Sequence, residues 1–105
     1  MLNNLPSSTA TKTFKTCTSQ KSSLVANQAK ILLAENTART YALIQNISGV
    51  SVTLILGNTA GATLGRGITL LPYGSYSIEA SNLYVGIVSA MSAGAAELAF
   101  VECVE

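Results

Sequence analysis

The sequence predicts an all-β fold: an antiparallel β-sandwich or jelly-roll-like body of about six to eight strands, preceded by an extended N-terminal arm. Three observations predict it. Apolar residues recur with a period of two where the pattern is clearest, Val50, Val52, Leu54 and Leu56 on one face against Ser51, Thr53 and Ile55 on the other. Turn-forming residues recur at short intervals between such runs. No stretch keeps the 3.6-residue period of a long helix, although residues 93–96 have the composition of a single helical turn.

In chain order, residues 1–23 are dominated by Ser, Thr, Asn and Lys, with Pro6 and the isolated apolar residues Leu2, Leu5 and Phe14. They show no strand or helix period, so the domain boundary is expected near residue 23, with an arm over 1–23 and the β-domain over 24–105. Strands are predicted over 24–27, 30–33, 40–46, 50–56, 68–71, 75–79, 83–90 and 97–104. The turns between them carry their own chemistry: Glu35-Asn36-Thr37, Ile47-Ser48-Gly49, Pro72-Tyr73-Gly74, Ser81-Asn82 and Ser92-Ala93-Gly94. Leu83, Val85 and Ile87 alternate with Tyr84, Gly86 and Val88, which makes that strand apolar on both faces and suits a central or contact strand. The last strand sets Leu98, Phe100 and Val104 against Glu97, Val101, Cys103 and Glu105. Residues 57–67 form one longer glycine-rich loop, where variable contacts are expected.

Composition narrows the function. Only 10% of the 105 residues are charged, against about 25% in ordinary soluble domains, so much of the surface is expected to be covered in the working state. The net charge of +1 gives no basic face for direct nucleic-acid binding. Lys12, Lys15 and Lys21 stand in the arm without an acid, whereas Lys30, Arg39 and Arg66 share the body with five glutamates. That asymmetry suits an arm docking on an acidic neighbour, and equally a tail kept soluble by its lysines. Residues 40–65 lack charge, but Gln45, Asn46, Ser48, Ser51, Thr53 and Asn58 interrupt them, so no membrane span is expected. Met1-Leu2-Asn3-Asn4 has neither the basic nor the apolar region of a signal peptide. Cys17 and Cys103 are expected as free thiols of a reducing cytoplasm, with a bridge between arm and last strand geometrically open.

The chain has no His, Asp or Trp. Ser–His–Asp and Cys–His nucleophiles are thereby excluded, and two cysteines without histidine fall short of a zinc site. A calcium loop lacks its aspartates. Glu97 and Glu102 have opposite strand parity, so they make no facing pair of carboxylates. Gly65-Arg66-Gly67 leads into a strand rather than a helix, unlike a phosphate-binding loop. Asn46-Ile47-Ser48 matches a glycosylation acceptor by chance. The expectation is a protein with no catalytic residue, metal or cofactor. Among the tyrosines, Tyr41 and Tyr84 fall in predicted strands, whereas Tyr73 and Tyr76 flank a turn and are the candidates for an exposed contact, including stacking on a sugar.

The run Arg39-Thr40-Tyr41-Ala42-Leu43-Ile44-Gln45-Asn46-Ile47-Ser48 is similar to an Arg-x-x-Leu-x-Ile-Gln-Asn-x-Ser opening of small virion proteins of tailed bacteriophages. Val52–Gly57, Leu71-Pro72-Tyr73-Gly74-Ser75-Tyr76, residues 82–90 and Leu98-Ala99-Phe100-Val101-Glu102 follow in the same order. Two departures stand out: Arg39 lies one residue too early relative to Leu43, and Tyr73 stands where a second turn glycine is usual. The resemblance covers about two-thirds of the chain, without the arm. It implies a capsid decoration, or cement, protein on the virion surface, assembled in the host cytoplasm, whose partner is the major capsid protein. A tail or neck accessory protein and a carbohydrate-binding module for host recognition are the alternatives. Homo-oligomerisation as dimer or trimer is expected. The interface candidates are Leu5, Lys12, Phe14, Lys15 and Lys21 in the arm, Tyr73 and Tyr76 at the turn, and Leu83, Val85 and Ile87 on the contact strand. Fully extended, at about 3.3–3.6 Å per residue, the arm reaches about 75–80 Å, enough to cross to a neighbouring subunit.

Overall fold

The computed structural model describes residues 16–105. Eight strands follow in order: β1 (Thr16–Leu24), β2 (Lys30–Leu33), β3 (Arg39–Asn46), β4 (Val52–Leu56), β5 (Ile68–Leu70), β6 (Ser75–Ile78), β7 (Val88–Ser92) and β8 (Ala96–Val104). A single 3-10 turn, Ala80–Asn82, follows β6. The strands form two four-stranded sheets, ordered β1-β8-β3-β6 and β2-β7-β4-β5. Every pairing is antiparallel. The pairs β1–β8, β2–β7, β3–β6 and β4–β5 describe one long hairpin with its tip at the β4–β5 loop. Rolling that hairpin up brings β8 against β3 and β7 against β4, which is the jelly-roll.

The core is the inner face of both sheets. Ala42, Ile44, Ile78, Leu98 and Phe100 from the first sheet meet Leu33, Val52, Leu54, Leu70, Val88 and Ala90 from the second, all buried. Ile44 lies opposite Phe100 in the first sheet and Leu54 opposite Ala90 in the second. Each fully buried Leu or Ile contributes about 1.5–3 kcal/mol. On β4 the alternation read from sequence holds for Val52 and Leu54. Thr53, on the opposite face, is nevertheless buried, because the β4–β5 loop folds over it and the Gly65 amide donates to its Oγ1 at 2.9 Å. Gly67 is required at that fold: a Cβ there would run into the Leu54 carbonyl.

Four expectations change. The boundary at residue 23 moves, because Thr16–Leu24 is a nine-residue strand paired along its whole length with β8. It is almost wholly exposed and polar at both alternations; it holds its place through the backbone ladder, which leaves no hydrophobic period. Residues 25–27, expected to continue a strand, turn instead towards β2. The strand predicted over 83–90 begins only at Val88; residues 83–87 are irregular, since their carbonyls turn aside to other partners. Cys17 and Cys103 are not free thiols but a disulfide. The β1–β8 register sets them directly opposite one another, with Cα atoms 4.0 Å apart.

Candidate interface surfaces

The jelly-roll gathers its connections at two ends. One end carries the β1–β2, β3–β4, β5–β6 and β7–β8 loops, residues 25–29, 47–51, 71–74 and 93–95. None of these holds a charged residue. Asn46, fully buried at the end of β3, ties them together. Its Nδ2 donates to the carbonyls of Val50 (2.6 Å), Leu71 (3.2 Å) and Leu70 (3.3 Å), while its Oδ1 accepts from the Ser48 amide and hydroxyl. A side chain so enclosed cannot carry a glycan in the folded protein.

From this end projects the β5–β6 turn. The Gly74 amide donates to the Leu71 carbonyl at 2.8 Å, Pro72 occupies the second position, and Tyr73 the third with φ 63°. That is the pattern of a type II turn, whose third position favours glycine. Tyr73 is 68% exposed and Leu71 64%, the highest values among the large apolar residues described. Val25, in the β1–β2 loop, is exposed at the same end. Beside them lies a groove of about 250 Å³ whose lining includes Leu24, Ile47, Ser48, Ala95, Ala96 and Glu97.

The opposite end is polar and organised by Arg39, which is buried (1%). Its Nε donates to Glu102 Oε2 at 2.7 Å, Nη1 to the carbonyls of Tyr84 (2.9 Å) and Gly86 (3.0 Å), and Nη2 to that of Ala34 (2.7 Å). One guanidinium thus fastens the β2–β3 and β6–β7 connections to β8. The register between β3 and β8 slips between Arg39 and Tyr41. Arg39 lies opposite Val104 and Tyr41 opposite Cys103, so β3 carries one residue more than β8 over this step, a bulge that lets Arg39 point inward. Glu35, Glu79 and Glu105 lie exposed around this end, where β1 also begins.

The sheet faces are sparing in charge as well. On the outer side of the first sheet Lys21 and Glu97 approach to 4.0 Å, among Ser19, Ala99, Val101, Leu43, Gln45 and Ser75 by register. On the corresponding side of the second sheet the strand positions are Ile31, Ile55, Met91, Ser89, Thr53 and Thr69, all uncharged, and the β4–β5 loop that covers Thr53 carries the exposed Arg66.

Of the residues expected at interfaces, Leu5, Lys12, Phe14 and Lys15 lie outside the described residues. Lys21 is exposed, but on β1 rather than on an arm. Tyr73 stands free, whereas Tyr76 is half-buried against the core, its hydroxyl accepting from Asn82 Nδ2 at 3.2 Å. The two rings therefore form no joint sugar platform. Leu83 is exposed at the rim, and Val85 and Ile87 are half-buried in the irregular segment, so they do not make a contact strand. Tyr84 too lies in that segment, its hydroxyl donating to the Ile87 carbonyl. Sequence reasoning missed the structural parts of Arg39 and Asn46. The available signal was a charged and an amide side chain bracketing an otherwise strand-like run.

Among the described residues no group of three or more His, Cys, Asp or Glu side chains gathers, and no helix is long and apolar enough to cross a membrane. No family model and no curated relative matches the chain. A solved structure described as "Bacillus endospore appendages form a novel family of disulfide-linked pili" is similar at 15% identity over 96% of this chain and 96% of its own, with a TM-score of 0.45. A likeness of that degree carries no argument about function.

Proposed function

We propose that this chain is a structural subunit that acts by packing against other protein subunits, in the form of a capsid decoration protein that binds and stabilises a shell of major capsid protein. The observation that carries the reading is the distribution of charge. The four loops of one end and the outward strand positions of the second sheet carry no charged residue, and the other sheet face bears the Lys21–Glu97 pair, each partner more than half exposed. A monomer that lived free in solution would need more charge on these surfaces to stay dispersed. The stiff double sheet and the resemblance to small virion proteins support the same reading, with the virion surface as its place and a coat subunit as its partner.

The test is the copy number and position of the chain in intact particles, from quantitative mass spectrometry with particle imaging. Hundreds of copies over the shell, on the order of the coat protein's own number, are expected. A few copies at a vertex or tail would replace decoration with a tail or neck role.

A further inference from the structure

We propose that the Cys17–Cys103 bridge is a thiol-operated latch on β1. While it is closed, the strand lies on β8. Once a low-molecular-weight thiol opens it, residues 16–23 leave the sheet and the rest of the domain stays folded. The inference concerns the chain by itself and does not rest on the decoration reading.

Among the described residues, little besides the bridge holds this strand. β1 is an edge strand with β8 as its one described neighbour. Of its nine residues Leu24 alone is buried, at the C-terminal end, and Thr16 to Lys21 are all exposed. Ser23 donates to Glu97 at 3.4 Å, Lys21 approaches the same carboxylate to 4.0 Å, and Lys30 Nζ donates to the Ser23 carbonyl at 3.3 Å. Exposed contacts of this kind contribute little. What remains is a backbone ladder with almost no buried side chain behind it, the kind of element that opens locally at low cost. Leu24 belongs to the core cluster, and the Asn27 amide donates to the Ser92 carbonyl at 2.7 Å just beyond it, so opening stops there. The covalent fixing at Cys17 and the packed fixing at Leu24 thus stand at opposite ends of the strand, with a polar stretch between them. β8 does not depend on β1, because it is paired with β3 on its other side and buries Leu98 and Phe100.

The bridge is also placed to be reached. Cys17 is exposed and Cys103 is buried, so a thiolate arriving from solvent meets the Cys17 sulfur first. A bond forms from the attacking sulfur to Cys17 Sγ, and the Cys17–Cys103 bond breaks. Its electron pair passes to Cys103 Sγ, which takes up a proton. A second thiolate attacks the sulfur of the bound thiol and releases Cys17, which is protonated in turn. Two small thiols are oxidised to one disulfide, and the bridge is reduced to two thiols. The same exchange run backwards from that disulfide recloses it. Release adds residues 16–23 to the chain ahead of the core, about 26–29 Å when fully extended, so redox state sets how far the N-terminus can extend from the domain.

The experiment is hydrogen exchange of the full chain in native buffer, read by mass spectrometry before and after an excess of reduced glutathione. With the bridge closed, residues 16–23 are expected to be protected. After reduction they are expected to exchange within about tenfold of the rate of an unstructured peptide of the same sequence, while β3, β4 and β7 remain protected. An excess of glutathione disulfide is expected to restore protection of β1. Cys17→Ser is expected to show the unprotected β1 from the outset and no response to glutathione; if that variant does not fold, the reduced parent carries the test. A bridge that survives the thiol, or a β1 as protected after reduction as before, would overturn the proposal. So would a loss of protection that takes β3 and β4 with it, since the bridge would then be a staple of the whole domain.

Discussion

Arg39 shows how much of this fold hangs on single polar side chains. Its guanidinium is fully enclosed, and its one carboxylate partner, Glu102, is 22% exposed. Such a charge is tolerable because Glu102 and three carbonyls share its donors. Removing one member leaves the others buried and unpaired. Arg39→Met is expected to destabilise the protein by about 3–5 kcal/mol, measured by urea unfolding, and to increase hydrogen exchange in residues 83–87. Lysine would not rescue it, since an ammonium cannot span the same carbonyls with a planar fork. The Cys17–Cys103 bridge is the second such point. Cys17→Ser, or reduction of the parent, is expected to cost about 2–5 kcal/mol, read as a fall in melting temperature that a reducing agent reproduces in the parent and not in the variant.

At the scale of elements, burial and sequence period agree for the inner strands. On β4, Leu54 is fully buried, and Leu54→Ala is expected to cost about 2–5 kcal/mol in the same unfolding assay. Strands β3 to β6 and β8 were legible for this reason: each puts one face into the core, and that imposes alternation; in β2 the adjacent Leu32 and Leu33 are both buried, across a register shift. β1 was not legible. As an edge strand with exposed Thr, Ser, Gln and Lys over most of its length, it satisfies its backbone on β8 without burying side chains, so nothing in its composition separates it from a tail. Residues 83–87 erred in the other direction. Their apolar content reads as a strand, but the Tyr84 and Gly86 carbonyls are taken by Arg39, and the Val85 carbonyl accepts from the Asn36 amide at 2.7 Å. The candidate surface was half legible. Tyr73 stood out as an ill-suited turn residue, while its neighbouring groove arises from loops far apart in the chain.

At the scale of the whole molecule, the two ends differ in kind: one has four loops without a charged residue, the other carries Arg39 and exposed glutamates. The corrected start of β1 at Thr16 sharpens any test of the arm, because deleting residues 1–23 would also remove most of an element of the sheet. Deleting 1–15 alone is expected to leave the melting temperature of the free protein within about 2 °C, on the scale of a negligible stability change, and to lower that of decorated particles. Full occupancy with an unchanged particle melting temperature would remove the arm from the decoration mechanism. The position of the disulfide adds a mechanical consequence. Tension applied through residues 1–15 enters the domain at Thr16 and reaches Cys17 at the next residue. There it crosses a covalent bond to Cys103 in β8, a strand flanked on both sides. A pull on the N-terminus is thus carried by the middle of the sheet, and β1 cannot be peeled away hydrogen bond by hydrogen bond while the bridge is intact.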